Sequence, residues 1–174
     1  MERQQTGKEI TGNAGMRQLF LQHVGQTSEA PLALHITKAL GSSLWDADGK
    51  EYIDVIGGIS VCNIGHCHPA VIEAIQNQAQ QYLHIMVYGE LVESPQVKYA
   101  TWLTKYLPQS LNSVFFTASG SVATEGAMKL AKRFTGRTGI ISFKKSYHGS
   151  TQGALSIMGS EYWQQAYRPL LPGI

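Results

Sequence analysis

Residues Val114–Ser121 have the sequence Val-Phe-Phe-Thr-Ala-Ser-Gly-Ser, and a helical pattern follows them from Val122 to Phe134. The apolar, β-forming run stops at Ser119-Gly120-Ser121, where the apolar period changes from 2 to about 3.6. This order predicts a strand at Ser113–Thr117, a tight turn and the exposed start of a helix. The free N–H groups of a first helical turn and the positive end of the helix dipole attract anions. We therefore expect a phosphorylated molecule to bind at this bend, although serine is also an ordinary helix N-cap.

A second strand and loop follow this helix. The pattern Gly139–Phe143 predicts a strand, and the loop Lys144–Ser150 after it carries Tyr147, His148 and Gly149. Two strands joined by one helix form a βαβ unit with parallel strands. Both loops then lie at the carboxyl edge of the sheet, where open α/β sheets bind ligands. A tyrosine and a histidine there can stack on a flat cofactor and form a hydrogen bond with it.

The N-terminal part of the chain predicts a small antiparallel meander. Its clearest signal is Asp46-Ala47-Asp48-Gly49-Lys50, because Asp-Gly supplies the positive φ that hairpin turns require. The strands around this turn are expected at Leu32–Ile36, Ser43–Asp46 and Glu51–Val55. Other apolar patterns predict helices at Met16–Val24, Pro69–Ala79, Ser94–Tyr106 and Thr151–Met158.

The composition excludes several classes of protein. With 43% hydrophobic and 15% charged residues, the chain of 174 residues belongs among folded globular proteins. A net charge of +2 is too small to indicate nucleic-acid binding. The longest nearly apolar stretch, Val55–Ile64, is too short to span a bilayer, so no membrane partner is expected. The N-terminus has no apolar signal core, and Glu2 and Glu9 argue against a transit peptide, so a cytoplasmic protein is expected.

A metal site is the alternative suggested by Cys62, His66, Cys67 and His68. Their spacing matches no common zinc pattern, and three adjacent side chains do not easily converge on one ion. We therefore expect a turn of small residues and no metal. Phosphate-binding loops of the G-x-x-x-x-G-K-[ST] or G-x-G-x-x-G type are absent, as is the G-x-S-x-G motif of hydrolases.

Five motifs together resemble one family, the class-III pyridoxal-phosphate-dependent aminotransferases, which include the ornithine, acetylornithine and 4-aminobutyrate enzymes. The resemblance runs from about Leu32 to the last residue. Its motifs are Asp46–Asp54, Gly65–Pro69, Phe116–Ala131, Thr135–Arg137 and Ser146–Gly149.

The resemblance implies an α/β fold of the fold-type I class. We expect the N-terminal portion of a mainly parallel sheet with helices on both faces, plus part of a small α+β domain. Residues 1–60 are expected in the small domain and residues 61–174 in the first part of the large domain that binds pyridoxal 5'-phosphate. The final loop Tyr167–Ile174 has no closing element, so a longer protein is expected, and family members are homodimers.

The same resemblance assigns residues. Ser119, Gly120 and Ser121 are expected at the cofactor phosphate, held by the backbone amides of the last two. Tyr147 is expected to stack on the pyridine ring, and His148 and Gly149 to complete that wall. The residues expected near the substrate are Ser60, Val61 and Tyr88. The implied reaction transfers an amino group from an ω-amino donor, such as ornithine or acetylornithine, to 2-oxoglutarate, a 2-oxo acid.

Two departures from the family pattern point to an alternative function. Ala118 and Val122 stand where the family usually has Asn and Glu, although Glu125 is retained. No lysine of this chain matches the motif of the Schiff-base lysine, so no catalytic residue is assigned and the isolated chain is expected to be inactive. The alternative is a truncated or degenerate non-catalytic fragment that binds the cofactor weakly or acts through a partner chain.

Overall fold

The computed structural model describes residues 12–86 and 89–174. They form two compact units, Met1–Glu90 and Leu91–Ile174, and each is described by itself. The domains expected from the family resemblance, 1–60 and 61–174, stay a prediction. No helix in the described ranges is long and apolar enough to cross a membrane.

The first unit contains a three-stranded antiparallel sheet with the order β1-β2-β3. The elements of this unit are helix α1 (Asn13–His23), strands β1 (Ile36–Leu40), β2 (Ser43–Asp46) and β3 (Glu51–Ile53), the short turn α2 (Gly57–Ser60) and helix α3 (Pro69–Gln81). The predicted meander is therefore confirmed, as are helices α1 and α3.

The predicted first strand at Leu32–Ile36 is wrong, because β1 starts at Ile36. The short connection Gly41–Ser42 fixes the register, so that Leu40 pairs with Ser43 and Ile36 with Asp46. Gly41 has a φ of 57°, which permits the reversal. The position of this turn, rather than the apolar run before it, determines which residues form the strand.

The turn between β2 and β3 is organised by the side chain of Asp46, which is only 8% exposed. Its Oδ1 accepts hydrogen bonds from the N–H groups of Asp48 and Lys50 at 3.0 and 2.9 Å. Its Oδ2 accepts one from the Tyr52 hydroxyl at 2.8 Å. The Tyr52 hydroxyl holds the pKa of Asp46 below its usual value, and the Asp46 carboxylate raises the pKa of Tyr52. The predicted Asp-Gly turn is confirmed, with Gly49 at a φ of 81°.

The second unit is helical in its regular elements. These are α4 (Ser94–Thr104), α5 (Gly120–Thr135), α6 (Gln152–Ser156), α7 (Glu161–Gln164) and a 3₁₀ turn (Gln165–Tyr167). Gly136 ends α5 in a left-handed conformation and donates its N–H to Lys132, as the sequence predicts. The buried apolar core of this unit comes from one residue of α5 and from α6 with the residues after it: Met128, Ala154, Leu155, Ile157 and Met158.

The predicted strands at Ser113–Thr117 and Gly139–Phe143 are not strands in this structure. Within the described ranges the only sheet is the meander, so the expected parallel pair is not formed. A strand needs a neighbouring strand for its backbone groups. The backbone of Gly139–Phe143 instead donates one hydrogen bond to another segment, from the N–H of Ile140 to the carbonyl of Gly173 at 2.8 Å. Phe115, Ile141 and Phe143 are almost fully exposed. The apolar pattern thus identifies extended segments but not their partners.

Candidate functional site

The bend Ser119–Ser121 lies at the amino end of α5. Ser119 is extended, and its Oγ accepts a hydrogen bond from the N–H of Val122 at 3.3 Å. Its carbonyl accepts the N–H of Ala123 at 3.0 Å. Ser119 is therefore a helix N-cap. Because the N–H groups of Gly120 and Ser121 donate to no residue that the structure describes, capping leaves these two donors for an anion.

The turn that carries Gly149 contacts this bend closely. Gly149 is buried and has a φ of 113°. A Cβ atom placed there would overlap Ser121 Oγ and would lie 2.7 Å from Ser121 Cβ and 3.1 Å from its Cα. Only glycine fits this approach. The structure thus brings Gly149 and Ser121 together as the sequence predicts, but through a loop contact and not through neighbouring parallel strands.

Hydrogen bonds fix the start of this turn and leave its tyrosine accessible. The N–H of Lys145 donates to Gly159 at 3.1 Å, and the N–H of Gly159 donates to Ser146 at 3.0 Å. The Ser146 hydroxyl also donates to the carbonyl of Phe143 at 2.7 Å. Tyr147, which follows, is 74% exposed, whereas His148 is partly buried. An exposed aromatic face on an anchored turn suits stacking on a planar ring.

Glu125 joins the same two segments one helical turn after Ser121. Its Oε1 accepts the N–H of Gly153, the second residue of α6, at 3.1 Å. The Thr151 hydroxyl, followed by the N–H groups of Gly153 and Ala154, lowers the pKa of Glu125. The sequence identified Glu125 only as a glutamate that the resembling family also carries. Its spacing of four residues from Ser121 was the available signal, because residues i and i+4 share one helix face.

Ser60 and Val61 belong to the first unit, whereas the bend Ser119–Ser121 belongs to the second. Gly57, Gly58, Ile59 and Ser60 form a left-handed turn with φ values of 54°, 61°, 64° and 63°. Positive φ is rare for a β-branched residue such as Ile59, and strain of this kind is concentrated at functional sites. The role of Ser60 and Val61 near a substrate stays a prediction. Tyr88 lies outside the described residues.

Asp54 holds this left-handed turn in place. Its Oδ1 accepts the N–H groups of Ile56 and Gly57, both at 2.9 Å, and its Oδ2 lies 2.7 Å from His66 Nε2. The His66 contact is the first cause that lowers the pKa of Asp54. In the described ranges no group of three or more His, Cys, Asp or Glu side chains could hold a metal ion, and Cys62 and Cys67 are free thiols.

Comparisons with known proteins agree on one family. The family model described as aminotransferase class-III matches residues 24–174. The acetylornithine aminotransferase of Methanopyrus kandleri is 40% identical over 152 residues, which cover 86% of this chain and 38% of that protein.

Two solved structures are also similar. The first is the taurine:2-oxoglutarate aminotransferase of Bifidobacterium kashiwanohense in complex with PLP and glutamate. It has a TM-score of 0.83 and 32% identity, over 95% of this chain and 38% of that one. The second is the adenosylmethionine-8-amino-7-oxononanoate aminotransferase of Methanocaldococcus jannaschii. It has a TM-score of 0.84 and 30% identity, over 92% and 39%. The structural similarity confirms the predicted α/β fold class, and the chain spans 38–39% of the length of these relatives.

Proposed function

Because the chain belongs to the class-III aminotransferase family, we propose that its second unit provides the phosphate-binding and ring-stacking part of a pyridoxal-phosphate-dependent aminotransferase. The fold is that of the fold-type I transferases. The observation that carries the proposal is the close approach of Gly149 to Ser121, because it places the Tyr147–Gly149 turn beside the amino end of α5.

The residues of the bend fit a phosphate group. Two backbone N–H groups are available at the start of a helix of 16 residues, where the dipole favours negative charge. The sequence from Ser113 to Thr124 contains no Asp or Glu, and Lys144 and Lys145 add positive charge in the second loop. Seryl hydroxyls at 119 and 121 are further donors.

The residues of this chain bind and orient the cofactor in the proposed arrangement. The N–H groups of Gly120 and Ser121 would donate hydrogen bonds to the phosphate, and the Tyr147 ring would cover one face of the pyridine and exclude water from it. Gly149 allows that turn to lie against the helix. Pyridoxal phosphate, when bound, supplies the electron sink that stabilises a carbanion on the substrate.

We propose an ω-amino donor, such as ornithine or acetylornithine, with 2-oxoglutarate as the acceptor. Acetylornithine aminotransferases from archaea and bacteria, at 38–41% identity, support this substrate class. The isolated chain is proposed to lack the lysine that bonds to the cofactor. Such lysines are commonly desolvated in an apolar pocket, whereas Lys129, Lys144 and Lys145 are exposed.

Titration of the purified chain with pyridoxal phosphate tests the proposal. We expect saturable binding that inorganic phosphate displaces, and we expect no pyridoxyl-lysine by mass spectrometry after borohydride reduction. Tyr147→Ala should weaken binding about tenfold because the stacking of the Tyr147 ring on the pyridine ring is lost. Tyr162→Ala is the matched control, since Tyr162 is 72% exposed in the same unit. Absence of saturable binding would contradict the proposed phosphate-binding site. A lysine within residues 1–174 that is trapped by borohydride would contradict the proposal that the isolated chain is inactive.

Weak, non-catalytic binding is the second candidate function, and it is favoured by Ala118 and Val122. Both residues are exposed at the bend, where the family pattern has polar side chains. The double variant Ala118→Asn/Val122→Glu restores that pattern. Tighter binding of pyridoxal phosphate by this variant would support a weakened cradle, whereas unchanged binding would show that the two substitutions are neutral.

The proposed partner is a second copy of the chain, because members of the family that the sequence resembles form homodimers. Sedimentation equilibrium of the purified chain should then give the mass of a dimer. A monomer at all concentrations would contradict dimerisation of this chain.

A further inference from the structure

Helix α5 contacts the segment from the Tyr147 turn to α6 at two points, and these points are four residues apart in both segments. Ser121 contacts Gly149, and Glu125 contacts Gly153, so the two segments advance together by four residues. Ser121 and Glu125 lie on the same face of α5 because they are one helical turn apart. The segment from 149 to 153 therefore lies along this face.

A side chain at either point of this contact would meet α5, through the Cβ and Cα of Ser121 at Gly149 and through the side chain of Glu125 at Gly153. At Gly153 a Cβ atom would lie 2.9 Å from Glu125 Cδ and 3.1 Å from its Oε1. Gly153 is buried, as are the three residues after it in α6. The carboxylate of Glu125 thus lies against the backbone of α6, and a side chain at position 153 would displace it.

The chemistry of Glu125 suits a side chain that holds two segments together, and we call its contact with Gly153 the Glu125 clamp. Glu125 Oε1 accepts the N–H of Gly153 at the start of α6, and a charge-assisted hydrogen bond of this kind is stronger than a neutral one. The lowered pKa of Glu125 agrees with this, and its first cause is the Thr151 hydroxyl. Lys129, one turn further along α5, is the charged side chain that adds to the same effect.

We propose that Glu125 is a positioning residue, which holds the start of α6 and thereby keeps the Tyr147–Gly149 turn against the phosphate-binding bend. Glu125 does not touch the cofactor in this arrangement. It acts through Gly153 on the turn that precedes α6. The binding consequence rests on the proposed function, whereas the structural consequence does not.

The first experiment needs no cofactor. Hydrogen–deuterium exchange of the full chain should be about tenfold faster in residues 144–153 of Glu125→Ala than in the unsubstituted chain, because the Gly153 N–H loses its acceptor and the turn before it is no longer held. Glu125→Gln keeps one carbonyl acceptor and should lie between the two. Gly153→Ala should also accelerate exchange by displacing Glu125, although alanine by itself favours a helix. The control is Glu161→Ala, which removes an exposed carboxylate paired with Arg168 in the same unit.

The second experiment measures binding of two probes. Pyridoxamine 5'-phosphate has no aldehyde and so cannot bond to surface lysines, and inorganic phosphate needs only the bend. Glu125→Ala should weaken pyridoxamine 5'-phosphate about tenfold and leave inorganic phosphate within about twofold. The double variant Glu125→Ala/Tyr147→Ala should bind no more weakly than Tyr147→Ala alone, because both act through the same turn.

The outcomes separate the two proposals. Faster exchange in Glu125→Ala, in a chain that does not bind pyridoxamine 5'-phosphate at all, would support the clamp and overturn the proposed function. Binding in the unsubstituted chain with unchanged exchange in Glu125→Ala would overturn the clamp and support the function. If Glu125→Ala weakened binding of both probes equally, and if its effect added to that of Tyr147→Ala, Glu125 would have a general structural role. That result would overturn the proposal that it positions the turn.

Discussion

The meander β1–β3 and the contact between Ser121 and Gly149 differ in the length of chain that stabilises them. The turn at Asp46 is closed by hydrogen bonds to residues no further than Tyr52. The contact at Ser121 joins residues 28 positions apart and depends on the packing of α6 against α5. Because a local turn forms independently of distant packing, we expect the meander to tolerate substitutions that displace the site.

Gly149→Ala should have the largest effect and should be confined to the second unit. The new Cβ would overlap Ser121, and alanine is strained at a φ of 113°. We expect destabilisation of about 3 kcal/mol in urea unfolding and loss of pyridoxamine 5'-phosphate binding. Exchange in β1–β3 should stay unchanged.

Gly136→Ala is the matched control for this prediction. Gly136 also has a positive φ, 67°, but a Cβ there meets nothing within 4 Å. Gly136→Ala should lower the free energy of unfolding by only about 1 kcal/mol, because it adds backbone strain but no overlap with another residue. Equal costs at the two positions would show that the approach to Ser121 is unimportant.

Asp46→Ala should have the next largest effect, and it should be confined to the meander. The change removes the acceptor for two N–H groups and the Tyr52 hydroxyl around a buried carboxylate. We expect faster exchange throughout β2 and β3 and a lower melting temperature. Asp48→Ala is the control, because Asp48 accepts from the exposed Asn13 side chain. Slower or unchanged exchange in Asp46→Ala would contradict the local closure of the turn.

Acid should weaken both regions through different carboxylates. The folded pKa values of Asp46 and Glu125 are lowered, so their contributions to stability are complete above the unfolded pKa values, about 3.9 and 4.3. These contributions are lost as the pH falls through the folded pKa values. Glu125→Gln should flatten the acid dependence of exchange in residues 144–156, and Asp46→Asn that of β2–β3. If either variant also changed the acid dependence of exchange in the other region, the two regions would not be stabilised independently.

Alkali should weaken the meander. The raised pKa of Tyr52 means that its hydroxyl contributes stability below the unfolded tyrosine pKa, about 10, and that this is lost as the pH rises through the folded pKa. Tyr52→Phe should remove that alkaline loss from β2–β3. Persistence of the loss in Tyr52→Phe would assign it to another group.

The sequence predicts those features that depend on neighbouring residues. Asp-Gly at 48–49, proline at the start of α3 and glycine at the end of α5 are local signals, and each element is where they place it. The residues 113–117 and 139–143 also carry a strand pattern, but pairing needs partner strands that their own periodicity does not specify. The bend was predicted, and so was the loop that contacts it. The role of Glu125 was not, because its acceptor contact with Gly153 exists only after α6 has packed.

The smallest predicted effect concerns the side chain that belongs to both interpretations of the bend. Ser119→Ala removes the cap on Val122, whose hydrogen bond is long at 3.3 Å, so α5 should lose about 1 kcal/mol or less. Ser119→Gly should lose only a few tenths of that amount, because glycine is tolerated at an N-cap, yet it removes the same hydroxyl. If the hydroxyl also contacts phosphate, both variants should weaken inorganic phosphate binding equally despite their different stabilities. If phosphate binding instead weakened in proportion to the loss of helix stability, Ser119 would act only as an N-cap. The anion would then be bound by the amides of Gly120 and Ser121.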